Sequence, residues 1–136
     1  MADERIIRAH AGIGPRVTGL ALAADDYFSA RYDLDRIAGV FSRPQHKLHG
    51  QSYIGKVLVL RGAKGGVATA WMLRNMAAEG KAPLALLLNI ANPIMAQGAA
   101  FADLPFMDRF EVDITAAIRS GETVTVDPEN GRVIVH

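Results

Sequence analysis

The chain contains no cysteine among its 136 residues. It therefore cannot form a disulfide bond, and it has no thiolate to offer to a zinc ion or an iron–sulfur cluster. Any iron–sulfur centre used by this protein would have to be held by another chain.

The chain also lacks an excess of charge of one sign and a long apolar run. Fifteen Lys and Arg side chains stand against fourteen Asp and Glu, which gives a formal net charge of +1 and no basic footprint for nucleic acid. No apolar run approaches the roughly 20 residues of a membrane span, and the first residues lack the apolar core of a signal peptide. We predict a cytoplasmic protein with no nucleic-acid or membrane partner. Because half of the residues are hydrophobic, we expect one domain over residues 1–136.

The most informative stretch lies between residues 56 and 80. Residues 56–60 read KVLVL, an apolar run typical of a strand that is buried on both faces, and the glycine-rich turn GAKGG follows at 62–66. A helix is predicted over 67–79, with Gly80 in the position that ends it. Its inward face is predicted to hold five residues at helical spacing: Thr69, Met72, Leu73, Met76 and Ala77.

A strand, a glycine turn and a helix in this order are typical of an anion site. Unpaired backbone N–H groups and the positive end of the helix dipole point into the turn, and Lys64 lies beside them. We predict that Gly62, Lys64, Gly65 and Gly66 bind a phosphate or a carboxylate. The spacing matches neither G-x-G-x-x-G nor the P-loop. The alternative is a tight turn that uses glycine only for its backbone freedom.

Two further candidates for substrate binding are Asn92 and His49. After a second buried strand at 84–88, Asn92 and Pro93 begin a helix that is predicted to end near residue 101. This helix start follows a strand, so its N–H groups can face the same space as the glycine turn; the alternative role of Asn92 is capping alone. His46 and His49 are three residues apart, but no third metal ligand is nearby. The ordinary interpretation is that His49 and Gly50 shape the entry to the central strand.

The rest of the chain predicts strands at both ends around these central strand–helix units. Strands are expected at 5–11, 18–23 and 104–107, a long loop at 25–44, and a helix at 114–120 capped by Asp113. Segments 123–126 and 132–135 flank an Asn-Gly turn and predict a closing hairpin. This order indicates an α/β fold.

Several short motifs occur along the chain in a specific order. They read HKLHGQS at 46–52, GKVLVL at 55–60, G-x-KG at 62–65, GKAP at 80–83, NPI at 92–94, GA at 98–99 and SGETV at 120–124. In this order and spacing they resemble the small, swivelling-domain subunit of aconitase X. The resemblance covers most of the chain and implies a single swivelling β/β/α domain, like the C-terminal swivel domain of aconitase.

The resemblance implies a subunit of a heteromeric hydro-lyase, or dehydratase. In this family a large subunit binds an iron–sulfur or other metal centre, and the small subunit closes over the active site. Its members remove water from hydroxy acids such as phosphomevalonate and cis-3-hydroxyproline. The chain is therefore expected to have a large subunit as its partner, a small hydroxy acid as its substrate and no cofactor of its own.

The chain departs from the family where the catalytic base is expected. The family turn usually reads K-G-S-S-T-G-S, with a serine as the base, whereas Gly66 and Val67 occupy the serine positions here. Neither can take a proton, and the nearest hydroxyl, on Thr69, is three positions past the first serine. The catalytic residue stays unassigned. Two functions remain open: a dehydratase subunit, or a non-catalytic binding module for a phosphorylated or carboxylated metabolite.

Trp71, the only tryptophan, falls on the side of the predicted helix opposite its apolar face. One helix cannot bury both sides in its own sheet. A large aromatic beside Arg74 is typical of an interface anchor, although a loop of the same domain could cover it instead.

Overall fold

A computed structural model describes residues 4–28, 33–63, 67–90 and 93–136. Its elements in order are β1 (Arg5–Arg8), β2 (Val17–Ala23), β3 (Tyr27–Phe28), β4 (Leu34–Asp35), β5 (Val40–Phe41), β6 (Val57–Ala63), α1 (Val67–Ala78), β7 (Ala85–Ile90), α2 (Pro93–Phe101), β8 (Phe106–Met107), α3 (Ile114–Ala117), β9 (Thr123–Asp127) and β10 (Arg132–Val135). No helix in the described ranges is long and apolar enough to cross a membrane.

Eight of the described strands form one mixed sheet in the order β1-β10-β9-β2-β6-β7-β8, with β3 also paired to β6. The strand β2 joins its two halves. Its residues 17–20 pair antiparallel with β9, and its residues 21–23 pair parallel with β6. The predicted closing hairpin is confirmed as β9 and β10, which pair antiparallel.

The core lies on both faces of the central strand β6, because successive side chains of a strand point to opposite faces. Leu58 and Leu60 belong to a buried cluster with Leu73 and Met76 of α1. Val57 and Val59 belong to a second cluster, which holds residues of α3, β1, β9 and β10. The helices α1 and α2 therefore cover one face, and the antiparallel strands with α3 cover the other. The predicted β/β/α architecture is confirmed.

The helix α1 has the predicted inward face, since Leu73 and Met76 are buried and Met72 is half-buried. The side chain of Thr69 lies outside the described part of the structure. The helix ends as predicted at Gly80, whose N–H donates to the carbonyl of Ala77 (3.1 Å) while Lys81 donates to Met76 (2.9 Å). These two bonds form a Schellman cap.

The long loop predicted at 25–44 is wrong, because the described residues of this segment include β3, β4 and β5. These strands have two residues each, too few to show a period in the sequence. Tertiary contacts hold them. The ring of Phe41 in β5 stacks on His46 with 4.5 Å between centroids and meets Tyr53 edge-on at 5.9 Å.

The helix α3 is shorter than the predicted 114–120, because Ile118 is already extended (φ −122°, ψ 132°). Beyond Ile118 the chain forms hydrogen bonds with β2. The hydroxyl of Ser120 accepts from the N–H of Ala23 (2.8 Å), and the N–H of Gly121 donates to the carbonyl of Ala21 (2.9 Å). These bonds to a neighbouring strand replace the last predicted turn of helix.

Candidate functional site

A cleft of about 820 Å³ opens at the carboxyl ends of β6 and β7. In open sheets of parallel strands, ligands bind in the crevice outside the carboxyl ends of the strands. The cleft is therefore the candidate functional site. The described residues that line it are Tyr27, Arg61, Gly62, Asn89, Ile90, Phe110, Val112 and Asp113.

Gly62 lies inside β6, so the prediction that the strand ends at residue 60 is wrong. The strand continues because Gly62 pairs with Ile90 of β7 on one side and with Tyr27 of β3 on the other. A Cβ at Gly62 would lie 3.3 Å from the carbonyl oxygen of Ile90 and 3.4 Å from the Tyr27 ring. This glycine lets a backbone and an aromatic ring approach closely at the cleft, rather than forming a turn.

Arg61 places a cation at the rim of the cleft. Its Nε donates to Oδ1 of Asp25 (2.6 Å), and its Nη2 donates to the same oxygen. Its guanidinium carbon lies 5.9 Å from the centroid of the Tyr27 ring. The bond to Asp25 raises the pKa of Arg61 above its ordinary value, so the side chain is charged at any physiological pH. Sequence reasoning missed Arg61 and Asp25; the available signal was a charged residue directly after the apolar run of the central strand.

Asn89 and Asp113 lie beside Arg61 in the cleft, because Asn89 of β7 is next to Arg61 of β6 in the strand register. The amide nitrogen of Asn89 donates to Oδ1 of Asp113 (2.8 Å), and its amide oxygen accepts from the N–H of Ile114 (2.8 Å). Asp113 caps α3 as predicted, because Oδ1 also accepts from the N–H (3.0 Å) and hydroxyl (2.7 Å) of Thr115. These bonds, the Thr115 hydroxyl first and Asn89 next, lower the pKa of Asp113, and the charge of Arg61 adds to the effect. The cleft thus contains a fixed cation and a fixed carboxylate.

The predicted anion-binding residues fall largely outside the described part of the structure. This applies to Lys64, Gly65, Gly66 and Asn92, whereas Gly62 is described and lines the cleft. The role of the glycine turn in anion binding stays a prediction.

The two candidate histidines have different surroundings. His46 is buried: its Nδ1 accepts from the N–H of Leu48 (3.0 Å), and its Nε2 lies 2.8 Å from the carbonyl oxygen of Tyr27. Because Nδ1 accepts this bond, the ring donates from Nε2 to the carbonyl of Tyr27. His49 is exposed and does not line the cleft. The structure does not bring this predicted substrate-binding residue to the site.

The described residues do not fit a metal or cluster site. They contain no group of three or more His, Asp or Glu side chains that could hold a metal ion. The full sequence has no cysteine for an iron–sulfur cluster.

Residues of two sequence motifs meet at a second, smaller pocket of about 260 Å³. It lies at the amino end of β6, opposite the cleft. Gln51 and Ser52 of the HKLHGQS motif line it together with Ser120 and Gly121 of the SGETV motif. The two motifs, which are distant in sequence, therefore lie close together in the folded chain.

Residues 6–135 of the chain match the model of the aconitase X swivel-domain family. It is 34% identical to the phosphomevalonate dehydratase small subunit of Methanocella arvoryzae over 125 residues, which are 92% of this chain and 95% of that protein. It is 32% identical to the protein of the same name from Methanothermobacter thermautotrophicus, with 96% of each chain covered. The crystal structure of Thermococcus kodakaraensis aconitase X in its holo-form has a TM-score of 0.87 at 25% identity, covering 97% of this chain and 98% of that chain. The chain belongs to the aconitase X swivel-domain family.

Proposed function

We propose that this chain is the small subunit of a heteromeric dehydratase that removes water from a hydroxy acid. The observation that carries the proposal is the extent of the similarity: 92% of this chain aligns with 95% of a phosphomevalonate dehydratase small subunit. The cleft at the carboxyl ends of the parallel strands supports it, because this is where such sheets bind small molecules.

The substrate class follows from the named relatives. Phosphomevalonate carries a carboxylate, a phosphate and a hydroxyl group. Its dehydration removes the hydroxyl from one carbon and a proton from the neighbouring carbon, which forms a double bond and releases one water. We assign to this chain the binding and orientation of the anionic groups, with the glycine turn and Lys64 as the residues proposed to bind them. An iron–sulfur cluster or other metal centre is assigned to the large subunit.

The proton acceptor is not assigned to this chain. Gly66 and Val67 stand where the family has serines, and neither side chain can accept a proton. We expect the large subunit to supply the base, with Thr69 as the alternative within this chain. The cytoplasmic location also remains a prediction.

Replacing Lys64 by Ala is expected to weaken the binding of phosphomevalonate by about 1 to 3 kcal/mol, the scale of a charge-assisted hydrogen bond. Titration calorimetry on the full-length chain, and on its complex with the large subunit, measures the change. Lys47→Ala is the matched control, because Lys47 is exposed and does not line the cleft. Equal affinities of wild type and Lys64→Ala would contradict the anion site.

The outward position predicted for Trp71 is confirmed, since 56% of its surface is exposed and the Arg74 guanidinium lies 5.5 Å from its ring centroid. We propose that this face of α1 contacts the large subunit. A tagged aconitase X large subunit from the same genome is expected to co-purify with the chain. Trp71→Ala is expected to weaken the complex by about 2 kcal/mol, or about thirtyfold in Kd.

Ile37→Ala is the control for that experiment, because Ile37 is 84% exposed and lies outside α1. A chain that stays monomeric beside the large subunit would contradict the heteromer. An unchanged Kd for Trp71→Ala would place the interface on another face.

The second candidate function is a non-catalytic binding module for a phosphorylated or carboxylated metabolite. The specific observation in its favour is the absence of the family serine at Gly66. Assay of the purified complex with phosphomevalonate discriminates the two. Dehydration supports the enzyme subunit, whereas tight binding without turnover supports the binding module.

A further inference from the structure

We propose that Arg61 binds the carboxylate of the ligand in the cleft and so selects ligands that carry one. This inference deepens the proposed function, on which it rests for the hydroxy-acid class. Nothing in the sequence motifs points to this residue, which lies between the apolar run of the central strand and Gly62.

The backbone of Arg61 is rigidly placed. It is the fifth residue of β6, and its N–H donates to the carbonyl oxygen of Asp26 at 2.9 Å. The next residue, Gly62, is paired on both sides, with β7 and with β3. A side chain on such a strand is positioned more precisely than one on a loop.

The side chain is held along one edge and open elsewhere. Both Nε and Nη2 donate to the same oxygen, Oδ1 of Asp25, and the side chain of Tyr27 is a further partner. A guanidinium has five N–H donors. Donors therefore remain for a ligand, and 46% of the side-chain surface is exposed at the cleft. Asp25 and the Tyr27 ring orient the guanidinium in advance, which lowers the entropy lost on binding.

A negative charge lies on the Asn89 side of Arg61, because Asp113 accepts a hydrogen bond from Asn89. Asp113 is ionised at neutral pH, and hydrogen bonds from Thr115 and Asn89 lower its pKa further. Its charge repels an anion at that position and attracts a hydroxyl donor. A hydroxy acid carries an anionic acceptor and a hydroxyl donor on one short skeleton. The two neighbouring charges therefore favour a ligand with its carboxylate at Arg61 and a hydroxyl group towards Asp113.

The planar fork of Arg61 can match two oxygens of a carboxylate or of a phosphate at once. The carboxylate is assigned to it because a hydroxy acid carries its carboxylate and its hydroxyl group close together, as Arg61 and Asp113 lie in the cleft. Phosphate is assigned to the glycine turn with Lys64, as the order of strand, glycine turn and helix in the sequence predicts. The two anionic groups of the proposed substrate would then be bound by different parts of this chain.

The test uses two probes, each with one anionic group. Mevalonate carries a carboxylate and hydroxyl groups, and inorganic phosphate carries no carboxylate. Wild type, Arg61→Gln and Arg61→Lys are titrated with each probe by calorimetry, as the full-length chain and as its complex with the large subunit. We expect Arg61→Gln to weaken mevalonate binding about ten- to hundredfold and Arg61→Lys about tenfold. Phosphate affinity should stay within about twofold.

Arg119→Gln is the matched control, because Arg119 is exposed and does not line the cleft. It removes the same charge and should leave both affinities unchanged. Thermal melting verifies that each variant folds, and the charge-conserving Arg61→Lys keeps the test valid if Arg61→Gln is unstable.

Three results would overturn the inference: no mevalonate binding by wild type, equal mevalonate affinity in Arg61→Gln, or an equal loss of phosphate and mevalonate binding. The last result would mean that Arg61 contributes only a general positive potential. Failure of the proposed function is a separate observation, since it is measured as absent turnover by the complex. Turnover together with mevalonate binding that does not depend on Arg61 would overturn only this inference. Mevalonate binding that depends on Arg61 without turnover would contradict only the proposed function.

Discussion

Replacing His46 by Ala is expected to lower the free energy of unfolding by about 3 to 4 kcal/mol. The ring is buried and stacks on Phe41 at 4.5 Å between centroids, so its removal leaves a cavity. The substitution also leaves the carbonyl of Tyr27 and the N–H of Leu48 without their side-chain partner. Buried polar groups without partners are costly.

Urea denaturation followed by circular dichroism measures this change. The chain offers a close control in His49→Ala, because His49 is exposed three residues away and is expected to change stability by less than about 0.5 kcal/mol. Similar losses in the two variants would show that His46 does not anchor the segment that carries Tyr27. The same control variant tests the predicted substrate-binding role of His49, which requires a loss of ligand affinity.

Gly12→Ala is expected to cost more than about 3 kcal/mol of unfolding free energy. A Cβ at this position would lie 2.1 Å from the carbonyl oxygen of Phe106 and 2.9 Å from Cγ of Met107. The first contact is with backbone that cannot retreat freely, because the N–H of Ile13 donates to the same oxygen at 2.9 Å. The N–H of Gly12 also donates to the carbonyl of Pro128 at 2.8 Å. Relief of the clash therefore requires the loss of backbone hydrogen bonds.

Thermal unfolding measures the effect, and Ala11→Ser is the control because Ala11 is the exposed neighbour of Gly12. A melting temperature of Gly12→Ala equal to that of the control would contradict the close approach between this segment and β8.

The sequence determined the central units of the fold because their signals are local. The apolar run at 56–60, the spacing of Leu73 and Met76 and the helix end at Gly80 each depend on residues within a few positions of one another. The β/β/α architecture was implied by the resemblance of the motifs to the family, and the order of these units agreed with it.

The parts that were predicted wrongly depend on partners distant in sequence. β6 extends through Gly62 because Ile90 and Tyr27 pair with it. The preference of glycine for turns is a local property, so it contains no information about these distant partners. The three short strands between residues 25 and 44 exist because His46, Phe41 and Tyr53 pack together.

The composition of the cleft was decided by tertiary structure alone. Arg61 and its partner Asp25 are 36 residues apart in sequence, and Asn89 and Asp113 are 24 residues apart. Strand pairing brings these residues together at one edge of the sheet. The periodicity of the sequence does not show which residues meet there. The sequence by itself determined which family the chain resembles and where its central strand and helix units lie. Only the folded chain decided which charges line the cleft, because that depends on which strands lie side by side.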